Sequence, residues 1–129
     1  MANKILKVLV IGDTHDSPHI PDKSRFGWFA KHIRKTKPDF VVQIGDFATF
    51  DSCTHYIRDD SYTAKIDKPI FMKDIESMDA AMEEFKYHLK DFKVKKYLTL
   101  GNHERRMWRK EDSNPSFYGM CQKEFFGTC

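Results

Sequence analysis

The stretch ILKVLVIGDTH, residues 5–15, decides the fold of this chain. Residues 5–11 are almost continuously apolar and rich in β-branched side chains, a pattern typical of a central strand that is covered on both faces of a parallel sheet. Two later stretches repeat the arrangement, because FVVQIGD (40–46) and YLTLGNH (97–103) also place a short apolar run before a glycine. The sequence therefore predicts three short strands, over residues 5–11, 40–44 and 97–100.

Helical periodicity fills the two intervals between these strands. Phe26, Phe29, Ala30 and Ile33 fall at i, i+3, i+4 and i+7, which predicts one apolar helix face, with Ser24 in position to cap the helix. The second interval carries apolar residues in steps of three and four, which predicts a long amphipathic helix: Ile75, Met78, Met82, Phe85, Leu89 and Phe92. Strands that alternate with helices favour parallel pairing and right-handed crossovers, so we expect an α/β architecture in the order βαβ(α)β.

The composition of the 129 residues, 40% hydrophobic and 32% charged, is that of one globular domain. Residues 47–72 show neither the strand period nor the helix period of apolar residues and are expected to form a loop or insertion near a site. The longest aliphatic run is too short to cross a bilayer, so we expect no membrane insertion. Three cysteines without a CxxC pair favour a reducing, cytoplasmic location. A formal net charge of +3 neither requires nor excludes a phosphate-bearing or nucleic-acid partner.

Polar side chains follow each predicted strand. Asp13, Asp46 and Asn102 each come one residue after a glycine, and His15 and His103 follow closely. Because ligands of parallel α/β sheets bind beyond the carboxyl ends of the strands, we expect these groups to converge. A glycine before a carboxylate lets the backbone turn sharply, so that the carboxylate can approach an ion. Oxygen and imidazole ligands suit Mn, Fe, Ni or Zn.

The three motifs GDTH (12–15), GD (45–46, after Pro38-Asp39) and GNHE (101–104) resemble, in their order and position, those of the calcineurin-like metallophosphoesterases. The resemblance runs from about residue 5 to the end of the chain. It implies a two-sheet α/β sandwich with two divalent metal ions. It also implies hydrolysis of a phosphomonoester or phosphodiester by a hydroxide shared between those ions.

The same resemblance implies a role for each residue of the motifs. Asp13 and His15 would hold the first metal, and Asp46 would bridge both metals. Asn102 would ligate the second metal. His103 would lie beside the substrate phosphate, as a general acid or charge stabiliser.

The resemblance further implies histidine ligands downstream of Asn102, and residues 104–129 contain no histidine. We therefore expect the chain to supply a full ligand set for at most one metal and to be the N-terminal part of a truncated domain. One alternative is a catalytically inactive phosphate-binding or interaction module. Another is half of a split enzyme, completed by a second chain or by an oligomer. The substrate stays open among phosphomonoesters, cyclic nucleotides and nucleic acids.

Two further interpretations concern the residues after the third motif. Arg105 is the best candidate for substrate binding among the basic residues at 105, 106, 109 and 110, for which a solvated helix face is the alternative. Glu104 is interpreted as a first-turn helix residue that complements the helix dipole, and not as a ligand.

Overall fold

A computed structural model describes residues 3–53 and 71–113, together with Phe125. In these residues three strands alternate with three α-helices: β1 (Val8–Ile11), α1 (Ser24–Thr36), β2 (Phe40–Gln43), α2 (Phe71–Leu89), β3 (Lys95–Leu98) and α3 (Arg105–Ser113). A 3-10 helix, Asp51–Cys53, lies between β2 and α2. The predicted α/β class and the order of its elements are confirmed, although β3 lies two residues earlier than predicted. None of the described helices combines the length and hydrophobicity that crossing a bilayer requires.

The sheet has the order β1-β2-β3, and both pairs of neighbours are parallel. β1 is therefore an edge strand of the described sheet, and the prediction of a central strand covered on both faces is wrong. Val8 and Val10 are 52% and 56% exposed, whereas Leu9 and Ile11 pack towards the helices. An apolar run does not distinguish the two situations, because apolar side chains also occur on uncovered surfaces.

The helices α1 and α2 cover the other face of the sheet. As predicted, α1 buries Phe26, Ala30 and Ile33. Ser24 is the first residue of the helix and not its cap, because the cap position is Lys23, which makes no side-chain capping bond. The Asp22 carboxylate instead accepts the Ser24 N–H at 2.9 Å, which satisfies one of the unpaired amides of the first turn.

A second apolar cluster lies beyond the carboxyl end of β2. Phe47, Ala48 and Phe50 are buried there, against Met107 of α3 and Phe125. Residues 47–53 therefore form part of the core, and residues 54–70 of the predicted loop lie outside the described residues. Its last two residues, 71–72, are not loop but the first residues of α2. This packing fixes the strand ends and the segments that follow them.

Candidate metal centre

The turns that follow β2 and β3 meet backbone to backbone, and two glycines permit the approach. Gly45 has a φ of 99°, and a Cβ on it would lie 2.7 Å from the backbone nitrogen of Gly101. A Cβ on Gly101 would collide with Asp46 Oδ1 and would lie 2.6 Å from the Asp46 nitrogen. Gly12 differs, since nothing lies within 4 Å of a Cβ built there. The predicted need for glycine thus holds after β2 and β3, where the reason is close packing of the two turns, and not after β1.

The carboxylate of Glu104 links these two turns. It is fully buried, and its carboxylate accepts the N–H groups of Gly101 at 2.7 Å, Asp46 at 2.9 Å and Phe47 at 2.7 Å. The first-turn interpretation of this residue is wrong, because α3 begins at Arg105 and the carboxylate bonds to the turn after β2. Hydrogen bonds from amides to a buried carboxylate are strong ones. Glu104 thus fixes the backbone from which Asp46 and His103 project.

Three side chains lie close enough together to hold one metal ion: His15, Asp46 and His103. One ligand atom of each lies within 4.8 Å of the other two. The rings of the two histidines are 4.6 Å apart, edge to face. Two of these residues adopt the left-handed backbone region, His15 with a φ of 47° and Asp46 with a φ of 50°. Such conformations are costly for residues other than glycine, and they cluster at functional sites.

The carboxylate of Asp46 is held by the turn after β3. Its Oδ1 accepts the backbone N–H of His103 at 2.9 Å. The side-chain amide of Asn102 is assigned the orientation in which its nitrogen faces this carboxylate. In that orientation the nitrogen donates to Asp46 Oδ2 at 2.8 Å. In that orientation the carbonyl oxygen of Asn102 makes none of these bonds and is the side-chain atom that a metal could take.

Asp13 lies at the rim of this group. Its Oδ2 is 3.7 Å from His15 Nε2, and its side chain is half exposed. It is therefore next to the cluster but not among the three side chains that already converge. Of the four predicted metal ligands, the structure brings His15 and Asp46 together, places Asn102 on Asp46, and leaves Asp13 beside them.

His103 has a defined ring orientation. Its Nδ1 lies 2.9 Å from the carbonyl oxygen of Thr49. Because a carbonyl can only accept a hydrogen bond, Nδ1 carries the proton and donates. Nε2 is therefore the ring atom left for a metal or a substrate. The hydroxyl of Thr49 itself is buried and has no hydrogen-bond partner among the described residues.

The first two basic residues of α3 differ in their surroundings. Arg105, the predicted substrate-binding residue, has an exposed side chain without a hydrogen bond to any residue that the structure describes. Arg106 turns inwards, donating to the Thr49 carbonyl at 2.8 Å and lying 3.5 Å from Asp51 Oδ1. Arg106 and the His103 ring therefore share the Thr49 carbonyl as a partner, and the sequence did not single out Arg106 from its neighbours.

The loop that carries His15 is anchored independently of any ion. His15 N–H donates to the Asp46 carbonyl at 3.0 Å, and Asp16 forms a bridge with Ala48. The buried Asp16 carboxylate accepts from Lys23 Nζ at 2.5 Å and from the Ser77 hydroxyl at 2.8 Å. These bonds tie the loop after β1 to the turn after β2 and to both helices.

A second buried carboxylate lies on α2, near the 3-10 helix. Asp74 accepts hydrogen bonds from the backbone N–H and the hydroxyl of Ser52. Burial raises the pKa of this carboxyl above its ordinary value, and the Asp51 charge adds to the increase. The Ser52 bonds and His19 act in the opposite direction. Asp74 thus belongs to the support of the 3-10 helix and not to the three-residue cluster.

Comparison with known protein families gives one match. The model of the calcineurin-like phosphoesterase family matches residues 6–128, nearly the whole chain. No curated protein and no solved structure matches the chain.

Proposed function

The chain belongs to the calcineurin-like phosphoesterase family, and from that premise we propose that it is a phosphoric ester hydrolase whose metal is held by His15 and Asp46. The observation that carries the proposal is the convergence of these two side chains with His103 at the carboxyl ends of the strands. Members of the family typically depend on two metal ions. The proposal extends the family assignment to particular residues and roles.

The donor set fits a divalent transition metal. It combines a carboxylate with imidazole nitrogens, a mixture that suits Mn, Fe, Ni or Zn. The Asp46 carboxylate already accepts hydrogen bonds from the backbone N–H of His103 and from the side-chain amide of Asn102. These bonds fix its orientation, as the partners of metal ligands do in general. Asp13 and the carbonyl oxygen of Asn102 are the groups we assign to complete the coordination.

A metal bound here would supply Lewis-acid chemistry, polarising the phosphoryl oxygens and lowering the pKa of a coordinated water. The remaining steps fall to the chain itself. We assign His103 Nε2 to the substrate phosphate, where an imidazolium would neutralise charge and donate a proton to the leaving oxygen. Its Nδ1–H bond to Thr49 would keep the ring facing the substrate through that transfer. Arg106, hydrogen-bonded to the same carbonyl, would add positive charge beside the ring.

The test combines binding and turnover on the same protein. Mn²⁺ binding is measured by calorimetry, and hydrolysis is measured with an aryl phosphodiester and an aryl phosphomonoester. Asp46→Asn is expected to lose both. His103→Ala is expected to keep metal binding and to lose ~10²–10⁴-fold in kcat, the usual contribution of a general acid. The matched control is Asp79→Asn, an exposed carboxylate on α2, which should change neither.

Two results would reject the proposal. Hydrolysis that survives Asp46→Asn would place the activity elsewhere. Loss of Mn²⁺ binding in His103→Ala would make that histidine a ligand and would overturn its assignment to the substrate. One metal per chain without turnover would favour the alternative function, a site that a second chain completes.

A further inference from the structure

The outward face of α1 carries positive charge along its whole length. Arg25, Trp28, Lys31, His32 and Lys35 recur at intervals of three and four residues, so they share one side of the helix. α1 contains no acidic residue. α2, by contrast, carries five acidic residues and only two lysines. Of the two helices that cover the sheet, only α1 therefore has a net positive charge.

This basic face borders a groove that ends at the candidate metal centre. The groove has a volume of about 810 Å³ and runs between α1 and the outer edge of β1. One wall is formed by residues 9–14, which include Asp13, and the other by the five residues of the basic face together with Phe29. Among the described residues, this second wall carries no acidic side chain. A ligand lying in the groove would therefore reach the rim of the metal centre at Asp13.

The groups on this wall are available to a ligand. The side chains of Lys31, His32 and Lys35 are exposed and make no hydrogen bond or ion pair with other residues that the structure describes. The Trp28 side chain is 72% exposed. Arg25 donates to the carbonyl of Thr14 at 3.2 Å and lies 3.7 Å from Asp16 Oδ1, whose charge Lys23 meets more closely, at 2.5 Å. Its guanidinium is therefore held at the Thr14 end of the groove.

We propose that a single strand of nucleic acid binds in this groove and leads a phosphodiester towards the metal centre. Its phosphates would lie along Arg25, Lys31 and Lys35, and one base would stack on Trp28. A positive groove with an exposed aromatic ring is the combination by which proteins bind single strands without sequence preference. The inference rests on the proposed function where it names the substrate class, but the binding itself requires neither metal nor hydrolysis.

The dimensions of the face agree with a short strand. From residue 25 to residue 35 the helix rises ~15 Å, at about 1.5 Å per residue. For a strand whose bases stay stacked as in a duplex, with a rise of ~3.4 Å per nucleotide, this corresponds to about four nucleotides. Three cations over that length would neutralise most of the phosphates.

The experiment measures binding of a fluorescein-labelled decathymidylate by anisotropy, in EDTA so that no hydrolysis occurs. With three phosphate contacts, the affinity should fall ~20-fold between 50 and 200 mM salt. For Lys31→Gln/Lys35→Gln, one contact remains and the fall should be only ~3-fold. The charge-matched control is Lys73→Gln/Lys93→Gln, two exposed lysines outside the groove, which should keep the wild-type salt dependence.

A second pair of measurements tests the stacking contact. Trp28→Ala should weaken binding ~5-fold or more, as expected for loss of one stacked base, while Trp28→Phe should retain most of the affinity. Equal salt dependence in both lysine double variants would overturn the proposal, as would tighter binding of a duplex than of the single strand. An extended peptide that pairs with the edge of β1 is the rival occupant. Oligonucleotide binding that the Trp28→Ala and groove-lysine substitutions leave unchanged would place the oligonucleotide outside the groove, which would overturn the proposal and leave the groove to that rival.

This design separates the two proposals. Asp46→Asn should bind the oligonucleotide as the wild type does, because the groove does not include Asp46. Binding without hydrolysis would therefore support the groove and reject only the proposed activity. Hydrolysis of the aryl esters without oligonucleotide binding would support the proposed activity and reject only the groove.

Discussion

Glu104→Gln tests whether one buried carboxylate holds the two strand-end turns together. The substitution keeps the size of the side chain and changes one oxygen to an NH₂ group. Glu104 makes three short hydrogen bonds, since Oε1 accepts from Phe47 and Oε2 accepts from both Asp46 and Gly101. A longer bond of 3.4 Å joins the Ala48 N–H to Oε1. Whichever oxygen is replaced, at least one backbone N–H then faces another donor, and the remaining bonds lose their charge.

The magnitude follows from these three bonds. Hydrogen bonds to a charged group contribute ~1.5–3 kcal/mol each, and a buried donor left without a partner costs ~1–3 kcal/mol. With one or two of the three bonds lost, the free energy of unfolding should fall by ~2–4 kcal/mol. Mn²⁺ affinity should fall as well, because the backbone that positions Asp46 is no longer fixed.

The assay is urea unfolding followed by circular dichroism, with Glu83→Gln as the matched control. Glu83 is an exposed residue of α2, so its substitution should change the free energy of unfolding by less than ~0.5 kcal/mol. The reasoning is refuted if Glu104→Gln unfolds at the same urea concentration as Glu83→Gln and binds Mn²⁺ as tightly.

Two other substitutions address the packing of the turns and the buried carboxylate of α2. Gly101→Ala should abolish Mn²⁺ binding or folding, because its Cβ would collide with Asp46, whereas Gly12→Ala should be tolerated in calorimetry and thermal unfolding, since its surroundings are open. Asp74→Asn should be at least as stable as the wild type at pH 7, because burial raises the pKa of Asp74 and the ionised form is therefore disfavoured in the folded state. A group whose pKa is raised in the folded state contributes stability at pH values below ~3.9, and this contribution is lost as the pH rises through the folded pKa. The difference in free energy of unfolding between Asp74→Asn and the wild type should therefore shrink towards pH 4, as measured by urea titrations. An Asp74→Asn variant that is weakened equally at pH 4 and pH 7 would contradict this.

The sequence predicted the parts of the fold that depend on local pattern. The apolar spacing of Phe26, Ala30 and Ile33 identified the buried face of α1, and the glycine after the first apolar run marked the end of β1 at Ile11. The parallel arrangement followed from the alternation of strands and helices. From these inferences alone, Asp46 and His15 could be expected at one edge of the sheet, where the structure places them.

The prediction failed where the deciding contacts lie far apart in the chain. Glu104 bonds to backbone amides 57 and 58 residues away, and no residue pattern shows that a backbone amide needs a partner. The edge position of β1 depends on which strands pair with it, and its apolar composition does not indicate whether one or two strands do so. The inward turn of Arg106, rather than Arg105, depends on the rotation of α3 against Thr49.

These long-range bonds also explain how strained residues persist at the metal centre. His15 and Asp46 both adopt positive φ values, at a cost on the order of 1–3 kcal/mol each. The bonds that hold them are made within the chain, from His15 N–H to the Asp46 carbonyl and from Asp46 N–H to Glu104. Folding therefore places the side chains of His15 and Asp46, the ligands proposed above, without the help of an ion. A metal that binds to such a site does not have to reorganise the backbone, so more of its interaction energy is retained as affinity.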